Sequence, residues 1–127
     1  MAIDWGSRRI GIAVSDSGTL ATPHSVLRNE GDVVERLANL AHDLGADTIV
    51  VGVARNAPHF HHLAEQLRQK TCKPVVLWDE ALTTVEAAEQ LRAAGRRRRD
   101  AQREIDMHAA AAILQSYLDH QANGRQS

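Results

Sequence analysis

The N-terminal part of the sequence alternates apolar and small or polar positions with a period of two. Residues 10–15 alternate in this way, and residues 1–5 form a short apolar stretch before a glycine-containing turn at residues 6–8. This arrangement is typical of a β-hairpin. A third short strand is expected within residues 20–27, at the edge of a sheet, because Pro23 interrupts it.

Beyond the hairpin, the apolar positions follow a helical period. A helix is expected from a cap at Asn29 to a stop at Gly45. The β-branched run over residues 48–53 shows no alternation, which indicates a strand buried on both faces. A second helix is expected from Pro58 to about Lys70, since proline is favoured at the first helical position.

The remaining third of the chain predicts one more strand and two more helices. A second buried strand is expected over residues 74–78, and a helix from the capping box at Thr83 to the stop at Gly95. Asp100 can cap a last helix that runs to about His120. The resulting order predicts a mixed α/β sheet, antiparallel at its start and parallel at its finish, with helices on both faces.

Composition places the chain among ordinary globular proteins. Its 127 residues suffice for one domain, which we expect over residues 1–120, followed by a polar tail over 121–127. No apolar run is long enough to span a membrane, and the N-terminus lacks the order of a signal peptide. The single Cys72 excludes an internal disulfide framework. We therefore expect a cytoplasmic protein with no membrane partner.

The net charge of −1 hides an uneven distribution of basic residues. Thirteen of the fifteen basic residues are arginine, and six of them lie within residues 92–103. Such a concentrated basic segment can hold a polyanion such as nucleic acid. The alternative is a solvated helix end or loop.

Three acids stand where a purely structural protein would rarely place them. Asp4 lies inside the first strand, and Glu80 follows the carboxyl end of the 74–78 strand, where ligands bind in open α/β sheets. Asp106 shares a helix face with Ala110 and Ile113, where a carboxylate is costly unless a positive group meets it. Each acid also has a structural explanation: a bond to turn amides, a solvated loop, or a favourable place near a helix start.

The three carboxylates could also converge on one point. Hard oxygen ligands with open coordination positions suit Mg²⁺ or Mn²⁺. Two such ions can activate water and stabilise the leaving oxygen of a phosphodiester.

Four segments of the sequence resemble one known family. The stretch from Asp4 to Asp16, Asp-Trp-Gly-Ser-Arg-Arg-Ile-Gly-Ile-Ala-Val-Ser-Asp, resembles the opening D-x-G-x-(K/R)-R-I-G-x-A-x-S-D of the YqgF/RuvX family of RNase H-like nucleases. Residues 48–52 resemble the family's fourth strand, and residues 76–84 its V-x-x-x-D-E-x-L-T-T motif. Residues 96–118 resemble its closing segment, so the resemblance spans nearly the whole chain.

The resemblance implies an RNase H-like fold: a five-stranded mixed sheet, its first three strands antiparallel, flanked by helices. It also implies a nuclease that uses two Mg²⁺ or Mn²⁺ ions. The family's acidic triad falls on Asp4, Glu80 and Asp106, which would be both the catalytic residues and the metal ligands. The residues expected to hold nucleic-acid phosphates are Arg8, Arg9, Arg96, Arg97, Arg98 and Arg99.

The sequence leaves several functions open. The favoured substrate is the 5′ end of the precursor of 16S ribosomal RNA, with branched DNA, as cut by a Holliday junction resolvase, as the alternative. The loop over residues 53–58 is shorter than is usual in the family, which keeps open an inactive RNA-binding ribosome-assembly factor. An actin-like ATPase is excluded because 127 residues cannot supply its two domains. Both a monomer and a homodimer remain open.

Overall fold

The computed structural model describes residues 1–53, 59–79 and 98–125, with side chains in the last segment described from 105 to 122. The strands are β1 (Ala2–Trp5), β2 (Arg9–Val14), β3 (Thr22–Arg28), β4 (Ile49–Val53) and β5 (Val75–Asp79). The helices are α1 (Val33–Asp43), α2 (His59–Thr71) and α3 (Arg98–Arg125). The helix predicted from Thr83 to Gly95 lies outside the described residues.

The five strands form one mixed sheet in the order β3-β2-β1-β4-β5. The β1–β2 and β2–β3 pairs are antiparallel, whereas β1–β4 and β4–β5 are parallel. The predicted hairpin, the edge position of the strand that contains Pro23 and the antiparallel-then-parallel order are all confirmed. This is the RNase H-like arrangement that the resemblance implied.

Each face of the sheet carries its own hydrophobic core. One core packs α1 and α2 against the sheet; among its fully buried members are Ile3, Ile10, Ile12, Leu37, Ile49, Val51 and Leu67. The other core packs α3 against small sheet residues, and its buried members are Ala2, Ala13, Val50, Ala110, Ile113 and Leu114. The alanine-rich face therefore lets α3 lie close to the sheet.

The boundaries of α1 correct one prediction and confirm another. Asp32, rather than Asn29, caps the helix, since its side chain accepts a bond from the Glu35 amide at 3.2 Å. Asn29 instead donates its side-chain amide to the Gly6 carbonyl at 2.9 Å and so fixes the hairpin turn. Gly45 ends the helix as predicted, with the positive φ of 65° that a C-terminal glycine adopts.

Two further predictions change with the structure. Helix α3 begins at Arg98 and passes through Asp100, so Asp100 is not its cap, and the helix continues past His120 to Arg125. Arginine, alanine and glutamine favour the helix strongly enough to extend it beyond the capping signal. Strand β5 is less buried than predicted: only Val75 is buried, because β5 is an edge strand of the described sheet.

None of the described helices is both long enough and apolar enough to cross a bilayer.

Candidate active site

Asp4 stands between two glycines in the middle of the sheet. In the strand register, Asp4 lies beside Gly11 of β2 on one side and beside Gly52 of β4 on the other. Residues aligned in this way project to the same face of a sheet. Because Gly11 and Gly52 both face α3, the half-buried Asp4 side chain projects to the α3 face as well.

Helix α3 packs directly on the two glycines. A β-carbon on Gly11 would overlap the Asp106 carbonyl oxygen, and would lie 2.7 Å from the carbonyl carbon. A β-carbon on Gly52 would overlap the tip of Ile113 and lie 3.1 Å from its Cγ1. Helix α3 therefore crosses β1 at the level of Asp4. The backbone of Asp106 lies over Gly11 of β2. Strand β2 is the neighbour of β1, and adjacent strands of a sheet are about 4.8 Å apart.

The Asp106 carboxylate meets a positive group. Arg9 donates its Nε–H to Oδ2 of Asp106 at 2.9 Å. The Asp106 side chain is 18% exposed and that of Arg9 is 45% exposed, so the pair lies at the border of the core. Arg9 precedes Gly11 by two residues on the same strand and therefore shares its face. This pairing explains how an acid can lie on the apolar stripe of α3.

The structure brings together only some of the predicted site residues. Asp4, Asp106 and Arg9 share one face at one end of the sheet, and Arg8 is exposed in the adjoining hairpin turn. Glu80 lies outside the described residues, directly after Asp79, the last residue of β5. Since β1, β4 and β5 are parallel, their carboxyl ends share one edge of the sheet.

Only part of the predicted arginine segment, residues 96–99, lies within the described residues. Arg96 and Arg97 lie outside the described residues. Arg98 and Arg99 belong to the first turn of α3, so for these two the predicted connection between helices is wrong.

The donor set can be compared with the needs of a divalent cation. Within the described residues, three or more acidic, histidine or cysteine side chains do not form a metal-binding group. Asp4 and Asp106 supply hard carboxylate oxygens on one face, and one of these carboxylates already attracts a cation in the form of Arg9. These two carboxylates supply oxygen ligands of the type that Mg²⁺ and similar ions prefer.

Gly11 and Gly52 position α3 at the site, although neither is among the site residues that the sequence predicts. A signal was available, because a glycine inside a strand often marks the close approach of another backbone. The sequence predicts that Arg9 binds phosphate, but it does not predict the bond between Arg9 and Asp106. The two residues are 97 positions apart in the chain, and only the packing of α3 joins them.

A mixed sheet of this topology, with a carboxylate inside its central strand, defines the class of RNase H-like proteins. Within that class, the family model described as "RuvX: Holliday junction resolvase" matches residues 1–120. The chain belongs to the RuvX family.

Its relatives carry a consistent name. A protein of Mycolicibacterium paratuberculosis, 45% identical over 94% of this chain and 78% of its own length, is named "Putative pre-16S rRNA nuclease". The same name is given to a Mycobacterium tuberculosis protein, 44% identical over 94% of this chain and 77% of its own length. It is also given to a Geobacillus kaustophilus protein, 38% identical over 94% of this chain and 96% of its own length.

Proposed function

We propose that this protein is a metal-dependent nuclease that hydrolyses phosphodiester bonds. The observation that carries the proposal is the placement of Asp4 and Asp106 on one face of the sheet, set by the packing of α3 on Gly11. Membership of the RuvX family and the nuclease names of the relatives support the same activity.

Asp4, Glu80 and Asp106 would hold Mg²⁺ or Mn²⁺ in this mechanism. The bound ions supply the charge that activates a water molecule and stabilises the departing oxygen of the substrate. Asp4 is fixed by its place in the central strand, and Asp106 by the contact of its backbone with Gly11. Both carboxylates are therefore positioned before the substrate arrives, which keeps the cost of assembling the site low.

Arg9 would serve both the acid and the substrate. A guanidinium carries five N–H donors, and its bond to Asp106 through Nε uses one of them. Its terminal nitrogens form a planar fork suited to phosphate oxygens. Arg9 can thus orient Asp106 and hold a phosphate beside it. Arg8 and residues 96–99 remain further candidates for backbone contacts.

The substrate that the relatives' names favour is the precursor of 16S ribosomal RNA. The cleavage that we propose is at its 5′ end, in the cytoplasm. The family description favours a Holliday junction instead. Both are nucleic acids whose backbone phosphates an arginine-lined site can hold. With only four aromatic residues in 127, recognition should depend on shape and backbone more than on base stacking.

A cleavage assay tests this function. Purified protein is incubated with an end-labelled precursor RNA that spans the mature 5′ end, and separately with a four-way DNA junction, each with Mn²⁺ or with EDTA. We expect cleavage of the RNA that depends on Mn²⁺. Cleavage of the junction alone would favour the resolvase. RNA binding without cleavage under any condition would favour an inactive assembly factor.

The Arg9–Asp106 pair gives a second prediction. Replacing Arg9 by glutamine should lower the free energy of unfolding by about 1 kcal/mol, a modest value because the pair is partly exposed. Added Mn²⁺ should reduce the difference in free energy of unfolding between the variant and the parent. The bound ion would replace the positive charge of Arg9 beside Asp106. Urea unfolding of both proteins, with and without Mn²⁺, measures this. A difference that Mn²⁺ leaves unchanged would argue against metal binding at Asp106.

A further inference from the structure

Two arginines face each other across the β2–β3 ladder. Arg9 of β2 is aligned with Arg28 of β3, and the two belong to an antiparallel pair. Directly opposed residues project to the same face, so Arg28 lies on the α3 face with Arg9 and Asp4. Like charges in this position repel and destabilise a sheet unless an anion offsets them.

The surroundings of this pair add further positive charge. Arg8 adjoins Arg9, and the Arg8 carbonyl accepts a hydrogen bond from the backbone N–H of Asn29 at 2.9 Å. The Arg36 side chain reaches across to the Arg28 carbonyl at 2.6 Å.

Acids offset only part of this charge. Asp106 pairs with Arg9, Glu30 is exposed nearby, and Asp32 caps α1. Within the described residues, no ion pair joins an acid to the side chain of Arg8 or Arg28. Both of these side chains are exposed. The part of the sheet where β2 begins and β3 ends therefore carries positive charge that an external anion could offset.

We propose that Arg28 continues the phosphate-binding path from Arg9 onto the edge strand β3. The backbone of the nucleic acid would then run from the carboxylates, past Arg9, to Arg28. Adjacent strands are about 4.8 Å apart, so the two long side chains can reach neighbouring phosphates. Arginine forks suit phosphate, and contacts to the backbone position a nucleic acid without reading its sequence. This proposal rests on the proposed function, because it places the substrate of that same site.

A different role for Arg28 would be to protect the edge of the sheet. Charged residues on edge strands hinder pairing with other chains. The geometry favours the path instead, since Arg28 is aligned with the arginine that already contacts a candidate catalytic acid. Edge protection alone would not require that alignment.

The test measures RNA binding by Arg28→Gln. Fluorescence anisotropy with a labelled single-stranded RNA, in EDTA so that cleavage is excluded, gives the affinity as a function of salt. Losing one phosphate contact should lower the salt slope by about 0.7 and weaken binding about fourfold at 0.15 M salt. Arg28→Lys keeps the charge and should retain most of the slope. Lys70→Gln removes the same charge from α2 on the other side of the sheet and should leave binding unchanged.

The outcomes separate this proposal from the nuclease assignment. An Arg28→Gln protein with unchanged affinity and unchanged salt slope would overturn the path. Unchanged binding together with concentration-dependent aggregation would overturn it in favour of edge protection. If the parent protein cleaves no substrate but Arg28→Gln still lowers the salt slope, the nuclease assignment fails and the binding path stands.

Discussion

Alanine in place of Gly11 is expected to lower the free energy of unfolding by about 3 kcal/mol, at the upper end of the usual cost of overpacking. The added β-carbon would overlap the carbonyl oxygen of Asp106. A backbone atom cannot rotate away, so α3 must shift off the sheet. The melting temperature should fall by roughly 10 °C, measured by circular dichroism. Because Asp106 moves with the helix, cleavage should fall as well.

Gly52→Ala is the matched control for this substitution. Its β-carbon would meet the flexible end of Ile113 rather than a backbone atom, so the loss of stability should be smaller. Adding Ile113→Val removes the overlapping methyl group and should recover part of that loss, although Ile→Val itself costs about 1 kcal/mol. No side-chain change at Asp106 should rescue Gly11→Ala. A Gly11→Ala protein as stable as the parent would contradict the close approach of α3.

Asp4→Asn is expected to lower the rate of Mn²⁺-dependent cleavage more than about 100-fold. Loss of a residue that merely orients a metal ligand already lowers metal affinity or activity about 10- to 100-fold. Loss of a ligand itself should lower the activity further. Asparagine keeps the shape of the side chain and removes the charge that would hold the ion. Initial rates on the precursor RNA at saturating Mn²⁺ measure the effect.

Asp47→Asn controls for the loss of one negative charge. Asp47 is exposed and precedes β4, so it lies at the opposite end of the sheet from the candidate site. Its replacement should leave the cleavage rate within about twofold of the parent. RNA affinity in EDTA should not fall in Asp4→Asn, because the protein loses only a repulsive charge. Cleavage retained within a few-fold by Asp4→Asn would remove Asp4 from the catalytic residues.

Much of the fold follows from local signals in the sequence. The apolar stretch over residues 1–5, the turn at 6–8 and the alternation over 10–15 predict the hairpin. The unbroken apolar run over residues 48–53 predicts β4 as a strand buried on both faces. The placement of Asp4 was also predictable, since a strand that pairs with both a hairpin partner and a later parallel strand must be central. The stripe formed by Asp106, Ala110 and Ile113 correctly predicted the side of α3 that meets the sheet.

Other features depend on packing between distant parts of the chain. The Arg9–Asp106 bond requires both the register of β2 and the position of α3 over Gly11, and neither is encoded locally. The opposition of Arg9 and Arg28 depends on a register that shifts between Ile12 and Ala13. Asn29 has the chemistry of a helix cap, yet its side chain bonds to the carbonyl of Gly6, which is 23 positions away in the chain.

In the mechanism proposed for this protein, Asp4 and Asp106 hold the catalytic ion together. The most direct measurement is a crystal structure of the protein soaked in Mn²⁺, with the ion located by its anomalous scattering. We expect an anomalous peak about 2.1 Å from a carboxylate oxygen of Asp4 and at a similar distance from one of Asp106. A crystal in which saturating Mn²⁺ binds elsewhere while both of these carboxylates remain without the ion would show that Asp4 and Asp106 are not its ligands.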